Sequence, residues 1–171
     1  MAMAPHRVLI AYGSSSESTQ GIAEEIAAAL REDGFDTELR PAAEIVSVGP
    51  YDAVVLGGEL RGGRWHREAR RFARRHAAQL RSRAVWFFSN GPGSADASAS
   101  GGADAPPVRG AIRAMDRTGA RGHLTIGGPA GRLPRVPFTR STAPGDFSAD
   151  HREVSRVRDW AHHIANEVSD S

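Results

Sequence analysis

Three short apolar runs, each closing on small residues, constrain this chain more than any other feature. Val8-Leu9-Ile10-Ala11-Tyr12 closes on Gly13-Ser14, Tyr51 to Leu56 on Gly57-Gly58, and Ala84 to Phe88 on Ser89-Asn90-Gly91. An uninterrupted apolar run reads as a strand covered on both faces, not as one with a wet side. Helical periodicity fills the gaps. Thr19 to Asp33 sets Ile22, Ile26 and Leu30 on one face beside Ala23 and Ala27, and Gly34 stands where a C-terminal stop belongs. Trp65 to Leu80 sets Trp65, Ala69, Phe72, Ala73, His76 and Leu80 on one side, and Arg67, Arg70, Arg71, Arg74 and Arg75 on the other.

The remaining elements follow the same alternation. Phe35 to Arg40 reads as an edge strand and His123 to Ile126 as a fifth strand closed by Gly127-Gly128. Pro106 and Pro107 are placed to open a helix that runs to Thr118. A last helix runs from about Asp150 to Val168, with Val154, Val157, Trp160, Ala161, Ile164 and Val168 inward and Asp150 and Glu153 at capping-box spacing. Residues 94–105 are small and polar and residues 128–147 are proline-rich without periodicity, so both read as mobile loops. The pattern predicts an α/β fold over residues 1–171: one domain, three layers, a doubly wound five-stranded parallel sheet of order 2-1-3-4-5.

Composition removes whole classes of chemistry. The 171 residues include no cysteine, which excludes disulfides, thiolate nucleophiles and iron–sulfur clusters. They include no lysine either, which removes the P-loop lysine and Schiff-base catalysis. The net charge is +2, and arginine-only basic usage fits a GC-rich coding bias. No apolar run approaches a membrane span, and Met1 to Arg7 lacks the apolar stretch of a signal peptide, so a cytoplasmic location is expected.

In such sheets ligands bind beyond the carboxyl ends of the strands. Those ends carry Gly13 to Thr19, Gly57 to Gly63 and Ser89 to Gly93, a bed that a flat ligand can approach closely. The first loop is crowded with hydroxyls and precedes a helix, which suits a phosphate. It contains no cation, which fits a permanently bound phosphate anchor better than one being transferred. The same hydroxyls would equally cap the helix.

The stretch Val8-Leu9-Ile10-Ala11-Tyr12-Gly13-Ser14-Ser15-Ser16-Glu17-Ser18-Thr19-Gln20-Gly21-Ile22-Ala23 resembles the N-terminal signature of flavodoxins. Val54 to Gly58 with Gly63 to Arg67, Val85 to Pro92, Gly127-Gly128 and Asp159-Trp160 extend the resemblance over nearly the whole chain. It is similar, more narrowly, to flavodoxin-type protoporphyrinogen dehydrogenases. The resemblance implies a flavodoxin-like fold and an FMN-binding redox protein, either an electron carrier or a small FMN-dependent oxidoreductase. Ser14, Ser16, Ser18 and Thr19, with Ser15 between them, would then hold the FMN phosphate. Gly58, Glu59, Leu60, Arg61 and Gly62, with Ser89, Asn90, Gly91, Pro92 and Gly93, would flank the isoalloxazine ring. The cofactor carries the redox chemistry, so no catalytic side chain is required.

Two departures support an alternative, a flavin-free module on the same fold. Glu17 stands where flavodoxin loops carry glycine. At ~7 Å and an effective dielectric of ~20, each pair of like unit charges costs roughly 2 kcal/mol. No stacking aromatic follows the third strand, and Trp65, the one after the second, falls on the core side by helical phase. Residues 61–83 hold nine arginines and one glutamate, either a solvated face or a docking face for an anionic partner along Arg67 to Arg75. The stretch has no interleaved aromatics, so nucleic acid is not expected. His66 is the histidine placed for chemistry, His76 reads as core, and the adjacent His162 and His163 cannot share a helix face.

Overall fold

The computed structural model describes residues 6–14, 17–61, 64–91, 109–126 and 144–170. In chain order the elements are β1 (Arg7–Gly13), α1 (Glu17–Glu32), β2 (Asp36–Pro41), β3 (Ala53–Arg61), β4 (Arg64–Trp65), α2 (Arg67–Arg75), α3 (Ala77–Arg81), β5 (Ala84–Asn90), α4 (Arg109–Thr118), β6 (Gly122–Ile126) and α5 (Pro144–Ser169). A single 3-10 turn, Ala42–Glu44, follows β2.

The sheet order is β2-β1-β3-β5-β6, all parallel, which is the doubly wound order expected for five strands. Alternate residues feed two cores. Val8, Ile10, Val55, Trp86, Phe88 and Leu124 pack under α1 and α5. Leu9, Leu56, Val85 and Phe87 pack under α2, α3 and α4. Both faces are therefore dry, which is why the strands read as unbroken apolar runs.

Four expectations need correction. The first concerns Trp65 to Leu80, which is not one helix. Arg64–Trp65 forms β4, antiparallel to the end of β3 with Leu60 opposite Trp65, so the sheet gains a sixth short strand. The helix starts only after His66, whose Nδ1 accepts a hydrogen bond from the Glu68 amide and so caps α2. It breaks again at His76, which turns inward at 6% exposure, against Phe72 and the Ile45 backbone. Second, β3 and β5 continue beyond the expected ends at Leu56 and Phe88, to Arg61 and Asn90. Third, α5 begins at Pro144 instead of near Asp150, a first-turn proline being compatible with a helix. Residues 144–147 are thus helical, and Asp150 and Glu153 lie within the helix, so the capping-box reading fails there. Fourth, Val154 is exposed rather than inward. Residues 94–105 and 128–143 lie outside the described residues, as do Pro106 and Pro107.

Two adjacent glycines decide how tightly the carboxyl edge can close. A Cβ on Gly57 would fall inside the Phe88 ring on one face of the sheet. On Gly58 it would fall inside the Trp65 indole on the other. Helix α1 contains a contrasting case, Gly21, where a Cβ would meet nothing within 4 Å. Gly57→Ala should therefore lower unfolding stability by roughly 3 kcal/mol through overpacking. Gly21→Ala should raise it by about 0.5–1 kcal/mol. Urea unfolding of the two variants checks both signs; equal effects would remove the packing role assigned to Gly57.

Candidate functional site

The row Gly13, Gly58, Ser89 and Thr125 crosses four neighbouring strands in register at the carboxyl edge. One residue further on, Glu59 pairs with Asn90. The expected binding residues are therefore gathered at one edge, but not all as loops. Gly58, Glu59, Leu60 and Arg61 belong to β3, and Ser89 and Asn90 to β5. Leu60 is buried in the α2-side core, and Glu59 is also buried, 3.9 Å from Arg61. Gly91 follows at φ +140, a conformation that L side chains rarely adopt, and its would-be Cβ lies 2.6 Å from the Leu60 carbonyl oxygen. Ser15, Ser16, Gly62, Pro92 and Gly93 lie outside the described residues.

The hydroxyl cluster forms at the start of α1. Asn90 is 7% exposed, and its amide nitrogen donates to Ser18 Oγ at 3.1 Å and to Thr19 Oγ1 at 3.0 Å. Thr19 is fully buried, while Ser18 is exposed and Ser14 half-buried at the end of β1. This bridge ties the first loop to the third. The resemblance gave Ser18 and Thr19 to the phosphate and Asn90 to the ring, and the bonds between them join residues 71 and 72 positions apart.

Glu17 opens α1 and is exposed. It lines a cleft of about 340 Å³ with Tyr12, Gly13, Ser14, Gln20, Pro41, Ala43 and Glu68. That cleft lies on the β2 side of the first loop, whereas Asn90 reaches the loop from the β5 side. Burial, together with the carboxylates of Glu44 and Glu24, pushes the Tyr12 phenol above its ordinary value.

Trp65 is 1% exposed and stacks on Phe87 with ring centroids 5.0 Å apart and planes 13° from parallel. Core-side placement was expected; strand pairing, not helical phase, produces it. Its Nε1 has no hydrogen-bond partner among the described residues. His66 is committed to capping α2. His76 keeps one hydrogen bond, to the Ile45 backbone, with Nε2 unpartnered among the described residues, and burial then Arg75 lower its pKa. His162 bonds Asp33 at 2.6 Å and His163 bonds Glu167 at 3.0 Å.

The residue missed by the sequence is His123. Its Nε2 lies 2.7 Å from Ser89 Oγ, and its Nδ1 3.4 Å from Thr125 Oγ1. Burial lowers its pKa to about 4. Strand alternation was the available signal, since residues 87 and 89 share a face with 123 and 125 in this register.

A family model described as a flavodoxin domain matches residues 9–117. The chain belongs to the flavodoxin-domain family. Among solved structures this flavodoxin domain is similar to oxidised flavodoxin 2 from Bacillus cereus, at 22% identity and TM-score 0.64, over 94% of this chain and 99% of that one. It is similar to a flavodoxin from the domain Archaea, at 12% identity and TM-score 0.62, over 95% of this chain and 99% of that one. It also matches rubredoxin oxygen:oxidoreductase from Desulfovibrio gigas, at 13% identity and TM-score 0.66, over 95% of this chain but only 36% of that one. At these identities the similarity is one of fold. No curated protein matches the sequence. No helix among the described residues is long and apolar enough to cross a membrane.

The half-buried imidazole of His123 predicts an acid sensitivity. Its folded pKa, about 4, lies below the ordinary 6.5, so the unfolded chain binds the proton more tightly. The stabilisation is complete above pH 6.5 and is lost as pH falls toward 4, a change of roughly 3 kcal/mol. His123→Gln should remove about one proton from that slope in pH-dependent urea unfolding, leaving the smaller contribution of His76. An unchanged slope would show that His123 titrates normally.

Proposed function

We propose that this flavodoxin domain binds FMN and serves as a redox module, as an electron carrier or a small flavin-dependent oxidoreductase. The observation that carries the proposal is the Asn90 bridge. A hydroxyl has one donor hydrogen and two acceptor positions. Asn90 donates to Ser18 Oγ, which turns the Ser18 hydrogen away from Asn90 and leaves it to be donated outward. A neutral donor at the N-terminus of the sixteen-residue helix α1 fits a phosphate monoester. Ser14 completes the rim of that loop. The donor set thus fits the FMN phosphate without a cation, while Glu17 borders a cleft that Ser14 also lines.

Bound FMN would supply the one- and two-electron chemistry that the side chains lack. The chain's own part is to hold and flank it: Ser14, Ser18 and Thr19 toward the phosphate, β3 from Gly58 to Arg61 and β5 at Ser89-Asn90-Gly91 toward the ring. The narrower form of the proposal, a resemblance to protoporphyrinogen dehydrogenases, rests on the sequence motifs at residues 8–23, 54–58 with 63–67, and 85–92, together with Gly127-Gly128 and Asp159-Trp160. A cytoplasmic setting belongs to the same proposal.

A second reading has its own observation. Trp65, the aromatic of the β3–β4 hairpin, is committed to the core against Phe87 and is not presented to a ring. That favours a flavin-free binding or scaffold module, and flavin titration separates the two. The FMN reading expects uptake approaching one flavin per chain with quenching of flavin fluorescence. A chain that leaves added FMN unbound supports the flavin-free module. Asn90→Asp probes the bridge itself. A carboxylate accepts from the hydroxyls instead of donating to them and sets a negative charge beside the phosphate. FMN affinity should fall at least about tenfold, with riboflavin affinity changed less than about twofold. Equal losses for both flavins would refute the phosphate assignment.

A further inference from the structure

Among the described residues arginine is not spread evenly. Helix α1 exposes Glu17, Glu24 and Glu32 and holds a single arginine, Arg31. Helices α2 and α4 pack side by side on the other face of the sheet and carry arginine at helical spacing. A coding bias toward arginine would place it on every exposed surface, so the segregation calls for another account.

Between α2 and α4 runs a cleft of about 110 Å³, floored by Ala73, Gly110 and Ala114 and walled by Arg70, Arg74, Arg113 and Arg117. The small floor residues let the helices approach until a Cβ on Gly110 would sit 3.3 Å from Arg70 Cδ. Arg74, Arg113 and Arg117 have no carboxylate partner among the described residues. Arg70 donates through Nε to the Trp65 carbonyl at 3.0 Å, joining this face to the hairpin. There Arg61 and Arg64 border a second depression of about 370 Å³ shared with Arg70. The acidic contribution within α2 is Glu68, 3.4 Å from Arg67 and 3.8 Å from Arg71.

We propose that the α2–α4 face, continued by the β3–β4 hairpin, is a docking surface for the acidic face of a partner protein. The inference does not depend on flavin binding. Charge complementarity argues for the occupant: unpaired guanidinium groups attract carboxylates and pair with them bidentately. The alternatives lack what they need. A membrane surface needs apolar anchors, and on α4 only Ile112 among the described large apolar side chains is exposed, at 41%. Single-stranded nucleic acid needs stacking aromatics, and Trp65 is buried. A flat face of two helices enters neither groove of a duplex. Docking of this kind is fast and loses strength with salt.

The test uses the full chain and poly-L-glutamate as probe, read by amide chemical-shift mapping and by affinity. Shifts should gather on α2, α4 and the hairpin. Arg113→Glu and Arg74→Glu, both exposed, should each weaken binding about fivefold or more, while Arg31→Glu, an equal change in net charge, should change it less than twofold. Equal effects at Arg113 and Arg31 would reduce the binding to bulk charge and overturn the proposal. So would tighter binding to phosphatidylserine vesicles or to duplex DNA at the same concentration of negative charge. Arg113-dependent self-association in sedimentation would overturn it in favour of a second copy of this chain seated through its acidic α1.

Discussion

Close approach of aromatic rings to a bare backbone is the contact on which the carboxyl edge of this sheet depends. Midway along β3 the sheet carries two residues without side chains, and a ring lies over each from opposite faces: Phe88 over Gly57 and Trp65 over Gly58. Phe88 belongs to β5, so its seat fixes how that strand lies beside β3. The next two residues of β5 are Ser89 and Asn90, which reach opposite faces of the sheet. The position of Phe88 therefore sets where Ser89 meets His123 and where Asn90 meets Ser18 and Thr19. A ligand bed this precise needs rigid elements beneath it, and the glycine-ring contacts provide them.

The same contacts explain what was legible in the sequence and what was not. Apolar runs and helical periodicity reveal burial, and burial alone was enough to predict the doubly wound order. Element ends depend on single hydrogen bonds, which periodicity does not register. His66 lies on the boundary of an amphipathic pattern, so its cap on α2 and the short strand before it were invisible. Trp65 shows the limit well: helical phase and strand pairing both place it inward, so the right burial followed from the wrong element. The hydroxyl-rich loop was readable as a phosphate bed because composition is local. Its link to Asn90 was not, since it joins residues 71 and 72 positions apart and exists only once β1 and β5 stand two strands apart.

Electrostatics divides the surface along the same architecture. Right-handed crossovers that run in opposite directions across the sheet, β1 to β2 one way and β3 to β5 to β6 the other, put α1 on one face and α2, α3 and α4 on the other, with α5 beside α1. The acidic residues of α1 meet basic ones of α5, as in the pairing of Arg158 with Glu25 and Glu32. These pairs raise the Arg158 pKa and neutralise that face locally. On α2 and α4 the described carboxylates are only Glu68, shared by Arg67 and Arg71, and Asp116, against eight arginines. A net charge of +2 thus conceals an uneven distribution among the described residues, with arginines concentrated on the α2–α4 side.

The hairpin belongs to both halves of this arrangement. Its strand β3 forms the middle of the carboxyl edge of the sheet, and the Trp65 carbonyl accepts from Arg70 in the arginine-lined cleft. Trp65 is held three ways: its ring against Phe87, its indole edge over Gly58, and its carbonyl by Arg70. A side chain so constrained cannot double as a mobile lid over a flavin. If FMN binds, β3 and β5 must flank its ring with backbone and short side chains. Such a site would tune the cofactor mainly through peptide hydrogen bonds rather than through stacking, and the cationic face beside it would add a positive field that favours the reduced, more negative flavin.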